Sequence, residues 1–301
     1  MHEFWRGSGG LRCVYGGCEL IRPKLLTVGG DTGIYIGEAE FLTPGAYTFK
    51  VPLSVSRIHA CCIGAGAQGG AGNVSMDWHG GGGGGLGWKN NIEVTPGEEI
   101  TVVVGAVVGE GLATNGDSYV ETANGKVVSG NSPNPSDWTQ GGTFTGDGGG
   151  SGGSGSGNES DGGTLTSKGS GGGAGGYRGN GGSGTVIYAV QGGNGGGGSG
   201  GASEVKRFGG SVPGARGGGT GLNGEGASGA SPRTANVPVG EDAPRVVGNA
   251  GSGGNESLYG AGGAGERDGW DGQDETKAGH GGVRIIWGNK FSYPDNADVI
   301  E

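Results

Sequence analysis

From residue 47 onward apolar and polar positions alternate with a period of two. In Tyr47-Thr-Phe-Lys-Val51 successive side chains fall on opposite faces, and Val55-Ser-Arg-Ile-His-Ala-Cys-Cys-Ile63, Ile100-Thr-Val-Val-Val104 and Ser118-Tyr-Val-Glu-Thr122 continue the strand pattern. An Asn124-Gly125 turn leads into Lys126-Val-Val128, and Pro44-Gly45 and Pro96-Gly97 mark further turns. No window carries a helical period. The pattern predicts a small β-sandwich, with Val283-Arg-Ile-Ile-Trp287 as a final strand after a long glycine-rich zone.

Glycine changes the picture between residues 141 and 282. It makes up 84 of 301 residues and comes in runs such as Gly-Gly-Gly-Ala-Gly-Gly at 171–176. Ordering each residue costs roughly 1–2 kcal/mol, most for glycine, so these runs stay unfolded unless backbone hydrogen bonding and close packing replace a side-chain core. The glycines are phased. Gly172, Gly175, Gly181 and Gly184 lie on a three-residue repeat with a gap at Arg178, and Gly173, Gly176, Gly179 and Gly182 form a second phase. Gly192, Gly195, Gly198 and Gly201 repeat likewise, as do Gly149, Gly152 and Gly155.

A left-handed extended helix of three residues per turn, rising about 3.1 Å per residue, fits that spacing. Glycine faces let such helices pack at backbone distance and pair N–H with C=O between neighbours. A strict Gly-X-Y collagen repeat is broken at 185–190, 204–208 and 231–247, and prolines number only 11. A flexible linker has no use for the apolar islands at 185–190 and 283–287. The expected fold is therefore all-β: a small β-sandwich followed by a glycine-rich polyglycine II helix bundle, closed by a C-terminal strand. In residues, 1–37 form an N-terminal attachment segment carrying Phe4, Trp5, Cys13 and Cys18; 38–140 the sandwich; 141–282 the bundle with its loops; and 283–301 the closing strand and tail.

Charge and hydropathy limit the partners. A formal charge of −10 argues against nucleic acid and against an anionic membrane, which call for basic patches. No apolar run approaches the ~18 residues of a membrane span, so no membrane insertion is expected. The first seven residues lack a basic stretch followed by an apolar one, so they do not read as a secretory signal. If the protein works outside a cell, another route such as host lysis is the expected way out.

The enzyme-like motifs are weak. Gly64-Ala-Gly-Ala-Gln-Gly69 satisfies G-x-G-x-x-G after a strand, but no helical pattern follows to hold a pyrophosphate. The glycine run before Lys89 lacks the Ser/Thr of a phosphate loop, because Asn90 stands there and a strand follows. Both are expected to be tight glycine turns. Cys61 and Cys62, adjacent on a strand, point to opposite faces and cannot share a metal; with Cys13 and Cys18 they read as buried free thiols, a Cys13–Cys18 disulfide or a zinc site being the alternatives. His59 reads as structural, and His79 and His280 as packing groups beside glycine runs, with no nucleophile positioned for them. The acidic stretch Glu266-Arg-Asp-Gly-Trp-Asp-Gly-Gln-Asp-Glu275 meets neither calcium-loop spacing. No catalytic residue, cofactor or metal is expected.

A family resemblance rests on three strings. Phe41-Leu-Thr-Pro-Gly-Ala-Tyr-Thr-Phe-Lys-Val-Pro52, leading to Cys-Cys-Ile-Gly-Ala-Gly66, is the first. Gly80-Gly-Gly-Gly-Gly-Gly-Leu-Gly-Trp-Lys-Asn-Asn-Ile-Glu-Val-Thr-Pro-Gly97 with Thr101-Val-Val-Val-Gly-Ala106 is the second, and Gly281-Gly-Val-Arg-Ile-Ile-Trp-Gly-Asn-Lys-Phe-Ser-Tyr-Pro294 the third. Together they resemble the glycine-rich domains of bacteriophage tail-fibre and virion structural proteins. The glycine zone is similar to T-even-type tail-fibre tip adhesins; residues 1–37 match neither pattern.

The resemblance implies a virion tail component that contacts other tail proteins and a host-surface glycan or outer-membrane protein, as a monomer or an oligomer. Receptor contacts are then expected in the connections between glycine runs, at Trp138, Phe208, Tyr259, Asp268, Trp270 and Asp271, with Phe4 and Trp5 as virion attachment residues. Trp138 and Trp270 serve equally well as caps of the bundle. A decoration or spacer protein without receptor binding is the alternative, and an ice-binding polyglycine II protein a further one, disfavoured by irregular charged loops.

Overall fold

The computed structural model describes residues 24–28, 34–70, 79–109, 112–157, 159–160, 166–167, 169–184, 217–225, 259–262 and 278–297. Its strands are β1 (Lys24–Val28), β2 (Ile34–Phe41), β3 (Gly45–Lys50), β4 (Arg57–Ile63), β5 (Leu86–Glu93), β6 (Glu99–Val104), β7 (Ser118–Thr122), β8 (Gly125–Gly130), β9 (Phe144–Thr145), β10 (Gly148–Gly150), β11 (Glu159–Ser160), β12 (Thr166–Ser167) and β13 (Gly282–Trp287). No helix occurs among the described residues, in line with the expected all-β class.

Two antiparallel sheets dominate. One has six strands in the order β1-β2-β13-β4-β5-β10, the other five in the order β3-β6-β7-β8-β9, and β11 and β12 pair separately. The last strand in sequence is thus interior to its sheet: Val283 lies opposite Phe41 of β2 on one side and Cys62 of β4 on the other. The six-stranded sheet also takes β1 and the start of β2 from the opening segment, and the glycine zone supplies β9 and β10.

The two sheets share one apolar core, an arrangement compatible with the expected β-sandwich. Phe41, Ala60, Cys62, Val283, Ile285 and Trp287 from the six-stranded sheet meet Phe49, Ile100, Val102, Val120 and Val128 from the other. Phe49 bridges the layers, with its ring centroid 6.3 Å from Phe41 and 5.8 Å from Trp287. Gly37 lets the Trp287 indole lie on the backbone of β2, where a Cβ would come 2.2 Å from the ring.

The opposite face of the six-stranded sheet is covered as well. Cys61, Ile63, Leu86 and Ile286 pack there against Tyr177, Leu222, Phe291 and Tyr293. Burial of both faces explains why six successive residues of β4 and all six of β13 are buried, where a half-exposed sheet would alternate. Cys61 and Cys62 do fall on opposite faces, as the strand period requires, and both are free thiols.

The glycine runs do not simply follow the sandwich. β4 continues into residues 64–70, residues 80–85 lead into β5, β6 continues into 105–109, and residues 278–281 lead into β13. The expected tight turns at 64–69 and 80–85 are instead extended segments. Their amides are used internally: Gly64, Ala65, Gly66, Ala67 and Gln68 donate to Gly85, Gly116, Gly279, Gly82 and Val108, and Gly82 to Gly85 donate to Trp138, Gly153, Gly260 and Asn131.

Candidate functional site

The layer built by these segments has a three-residue register. Gly172 and Gly175 donate to Gly81 and Gly84, Gly80 and Gly83 to Ser156 and Gly153, and Gly181 and Gly184 to Ser151 and Ser154, at 2.8 to 2.9 Å. Donor and acceptor both shift by three within each pair, in the same direction for 172/175 and 181/184 and in opposite directions for 80/83, where a β-ladder repeats by two.

Close approach follows the same step. A Cβ on Gly80 or Gly83 would sit 2.0 or 2.1 Å from the carbonyl oxygen of Ser170 or Gly173; on Gly81 or Gly84, 2.0 Å from Ala67 or Gly64; on Gly82 or Gly85, 2.0 or 2.1 Å from Gln140 or Thr143. Residues 80–85 are therefore surrounded by three neighbouring segments at backbone distance, one for each position of the repeat. The predicted phase of Gly172, Gly175, Gly181 and Gly184 meets Gly153, Gly150, Gly173 and Ser170 at 2.0 Å in the same way.

This register fixes where the connections leave the layer. Gly70 donates to the carbonyl of His79 across the ends of connection 71–78, and Gly169 abuts Ser156 and Gly80 where 158–168 departs. Gly184 reaches Ser154 and Ser170, and Gly217 pairs with Gly262, so the ends of 185–216 and 263–277 lie toward the same Gly80 end. The turn around Trp138 is there too: the Trp138 carbonyl accepts from Gly82 at 2.7 Å and the Thr139 carbonyl from Gly155 at 2.8 Å. Connection 226–258 departs from the sheet side, where Glu225 donates to Pro294.

Of the residues predicted to bind a receptor, Trp138 is half-buried in this turn. Its neighbour Asp137 is exposed, with Oδ1 accepting from the Thr139 hydroxyl at 2.6 Å and the Thr139 amide at 3.0 Å; the hydroxyl bond is the main cause that holds its carboxyl below the ordinary range. Tyr259 belongs to the sheet side: it is half-buried, packs on the second core and meets His280 edge-on at 5.3 Å. Phe4, Trp5, Phe208, Asp268, Trp270 and Asp271 lie outside the described residues, as do Cys13 and Cys18.

Three groups carry structure that the pattern did not single out. Tyr177 is fully buried beneath the layer, stacks on Tyr293 at 5.9 Å, donates to the Gly221 carbonyl and accepts from the Gly224 amide, both at 3.1 Å. The break in glycine phase at Arg178 was its only sequence signal. Arg284, 3% exposed, donates through Nε and Nη2 to Glu38 at 3.1 and 2.6 Å, with Glu40 at 3.6 Å. Desolvation raises the Glu40 carboxyl above its ordinary value despite Arg284. Asn90 fastens the C-terminal segment by accepting from the Tyr293 amide at 2.9 Å and donating to its carbonyl at 2.8 Å, while His59 Nδ1 lies 2.9 Å from Asn90 Oδ1. Burial lowers the His59 imidazole below its ordinary value, the bond to Asn90 acting in the opposite sense.

A shallow groove of about 380 Å³ beside Pro44, Val104, Asn115, Asp117 and Tyr119 contains one carboxylate, whose Oδ1 accepts from the Ser132 amide and hydroxyl. Among the described residues no three His, Cys, Asp or Glu side chains form a metal cluster, and no helix is long and apolar enough to cross a membrane. Burial pushes the Cys61 thiol up to about 12 from 9.0. Because the folded value is the higher one, its contribution to stability is complete below about pH 9 and is lost progressively above it. We expect native Cys61 and Cys62 to resist alkylation at pH 8 and to react once the protein is unfolded; rapid labelling of either in the native state would contradict their burial. No protein-family description matches the chain, and no curated protein matches it.

Proposed function

We propose that the chain is a bacteriophage tail-fibre or tail-tip component that attaches to the host surface through connections at one end of a polyglycine II bundle. The three-residue register of backbone hydrogen bonds carries this reading, since three residues per turn is the repeat of that helix. Such a layer is stiff and chemically plain, so recognition falls to the connections. The described anchors of 185–216 and 263–277 lie near the turn bearing Trp138, and these connections contain Phe208, Asp268, Trp270 and Asp271 in sequence. Tyr259 belongs to the other side and is assigned to packing rather than to the receptor surface. An opening segment with Phe4 and Trp5 joins the molecule to other tail proteins in this reading. The partner is a surface glycan or an extracellular loop of an outer-membrane protein, for which rigid aromatic planes flanked by carboxylates are suited.

Purified protein applied to whole cells of a panel of bacterial strains provides the test. Binding to a susceptible strain is expected to fall by about thirtyfold, or ~2 kcal/mol, in Trp270→Ala and Trp138→Ala, with the unfolding temperature unchanged. Unchanged affinity together with lost stability would make both tryptophans caps of the bundle. A native protein that binds no strain would favour a decoration or spacer role.

A further inference from the structure

Four Asn-Gly pairs lie within the described residues, at 115–116, 124–125, 180–181 and 223–224, and all four asparagines are exposed. A fifth, Asn194-Gly195, is outside them. The pair is chemically labile because glycine puts no Cβ in the way when its backbone nitrogen turns onto the asparagine carboxamide. Exposure does not separate the four, but the packing around each glycine does. Gly116 is buried and donates to Ser132 Oγ at 3.1 Å, while the Asn115 carboxamide accepts from the Asp117 amide at 2.9 Å. Gly181 donates to the Ser151 carbonyl at 2.8 Å, and the Asn180 carboxamide accepts from the Ser151 amide at 2.9 Å. Gly224 is buried, donates to Tyr177 Oη at 3.1 Å, and lies where a Cβ would come 2.8 Å from the Pro294 carbonyl.

The β7–β8 turn is different. Gly125 has no heavy atom within 4 Å of where its Cβ would be, and its φ of 94° is one that glycine adopts without strain. It opens β8 opposite Thr122, at the turn end of the β7–β8 hairpin, so an opening there parts only the last pair of the ladder.

We propose that Asn124 is a site of spontaneous covalent modification in the folded protein, converting to a mixture of aspartate and isoaspartate. The Gly125 nitrogen gives its proton to water or hydroxide and bonds to Asn124 Cγ. The Cγ–Nδ2 bond breaks, ammonia leaves, and a succinimide joins the two residues. Water then opens either imide C–N bond: one product carries an ordinary aspartyl residue in place of the asparagine, the other an isoaspartyl link with one extra backbone carbon. Both add a negative charge to the turn, and the isoaspartyl form lengthens it, displacing Gly125 from its position opposite Thr122 and loosening the start of β8, where Lys126 sits 4.0 Å over the Tyr119 ring.

Native full-length protein held at pH 8 and 37 °C and mapped by peptide mass spectrometry tests this, with a parallel sample in denaturant. In the native sample Asn124 is expected to convert at least about tenfold faster than Asn115, Asn180 or Asn223, whose glycine amides are released only by opening packed structure. In denaturant all four are expected to convert at similar rates. Asn124→Gln should remove the modified hairpin peptide while leaving the other three rates unchanged. Native conversion of Asn115, Asn180 or Asn223 as fast as Asn124, or an inert Asn124 in folded protein that reacts only after unfolding, would overturn the proposal.

Discussion

Gly175→Val is expected to destabilise the protein by more than the ~3 kcal/mol that marks the upper end of ordinary overpacking. In an ordinary core an added methyl is accommodated by neighbouring side chains that change rotamer. At Gly175 the first added atom would come 2.0 Å from the Gly150 carbonyl oxygen, 2.7 Å from its carbon and 3.0 Å from the Leu86 nitrogen, all of them backbone. Relief requires two chain segments to separate, which lengthens the bond from the Gly175 amide to the Gly84 carbonyl, now 2.9 Å. Even alanine should be poorly tolerated. Gly157→Ala is the control, because its Cβ would meet nothing within 4 Å, and its effect should stay within about 0.5 kcal/mol. Denaturant unfolding with hydrogen exchange at residues 80–85 and 169–176 reads both variants. Rapid exchange there in the unsubstituted protein, or a wild-type midpoint for Gly175→Val, would refute the packed-backbone account.

Tyr177→Ala should cost ~3–5 kcal/mol through loss of a buried aromatic ring, a large part of the ~5–15 kcal/mol typical of a folded domain. Tyr177 joins the glycine layer to the second core: its ring stacks on Tyr293, its hydroxyl connects Gly221 and Gly224, and its carbonyl accepts from Trp88 Nε1 at 2.9 Å. Tyr177→Phe separates these contributions, since it keeps the stack but leaves the Gly221 carbonyl and Gly224 amide without their partner, at a cost of ~1–3 kcal/mol. A loss under about 1 kcal/mol for the alanine variant would show that the layer is held by its backbone bonds alone.

Strand existence and class were legible from alternation. The runs around Tyr47–Val51, 55–63, 100–104 and 118–128 all became strands because a period of two has one regular solution, and the same period correctly sent Cys61 and Cys62 to opposite faces. The three-residue phase of Gly172, Gly175, Gly181 and Gly184 was also written locally, since a bare Cα is needed wherever another backbone passes at 2.0 Å.

Which backbone passes there is a different kind of information. Nothing in the run at 80–85 distinguishes a phosphate-like turn from an extended segment, because glycine has no side chain to record its neighbours; the answer lies in carbonyls contributed by residues 64–67, 140–143 and 170–173. The interior place of β13, the second buried face of the six-stranded sheet and the partnership of Arg284 with Glu38 likewise join residues far apart in the chain. Local pattern thus determined the strands at 47–51, 57–63, 100–104, 118–128 and 283–287 and the glycine phase, but not β1, β2, β5, β9 or β10. Only the tertiary structure decided that the sandwich strands run on into the glycine layer, that Tyr177 fastens that layer to the core, and that Trp138 and Tyr259 belong to different ends, because these depend on long-range backbone pairing that no short window contains.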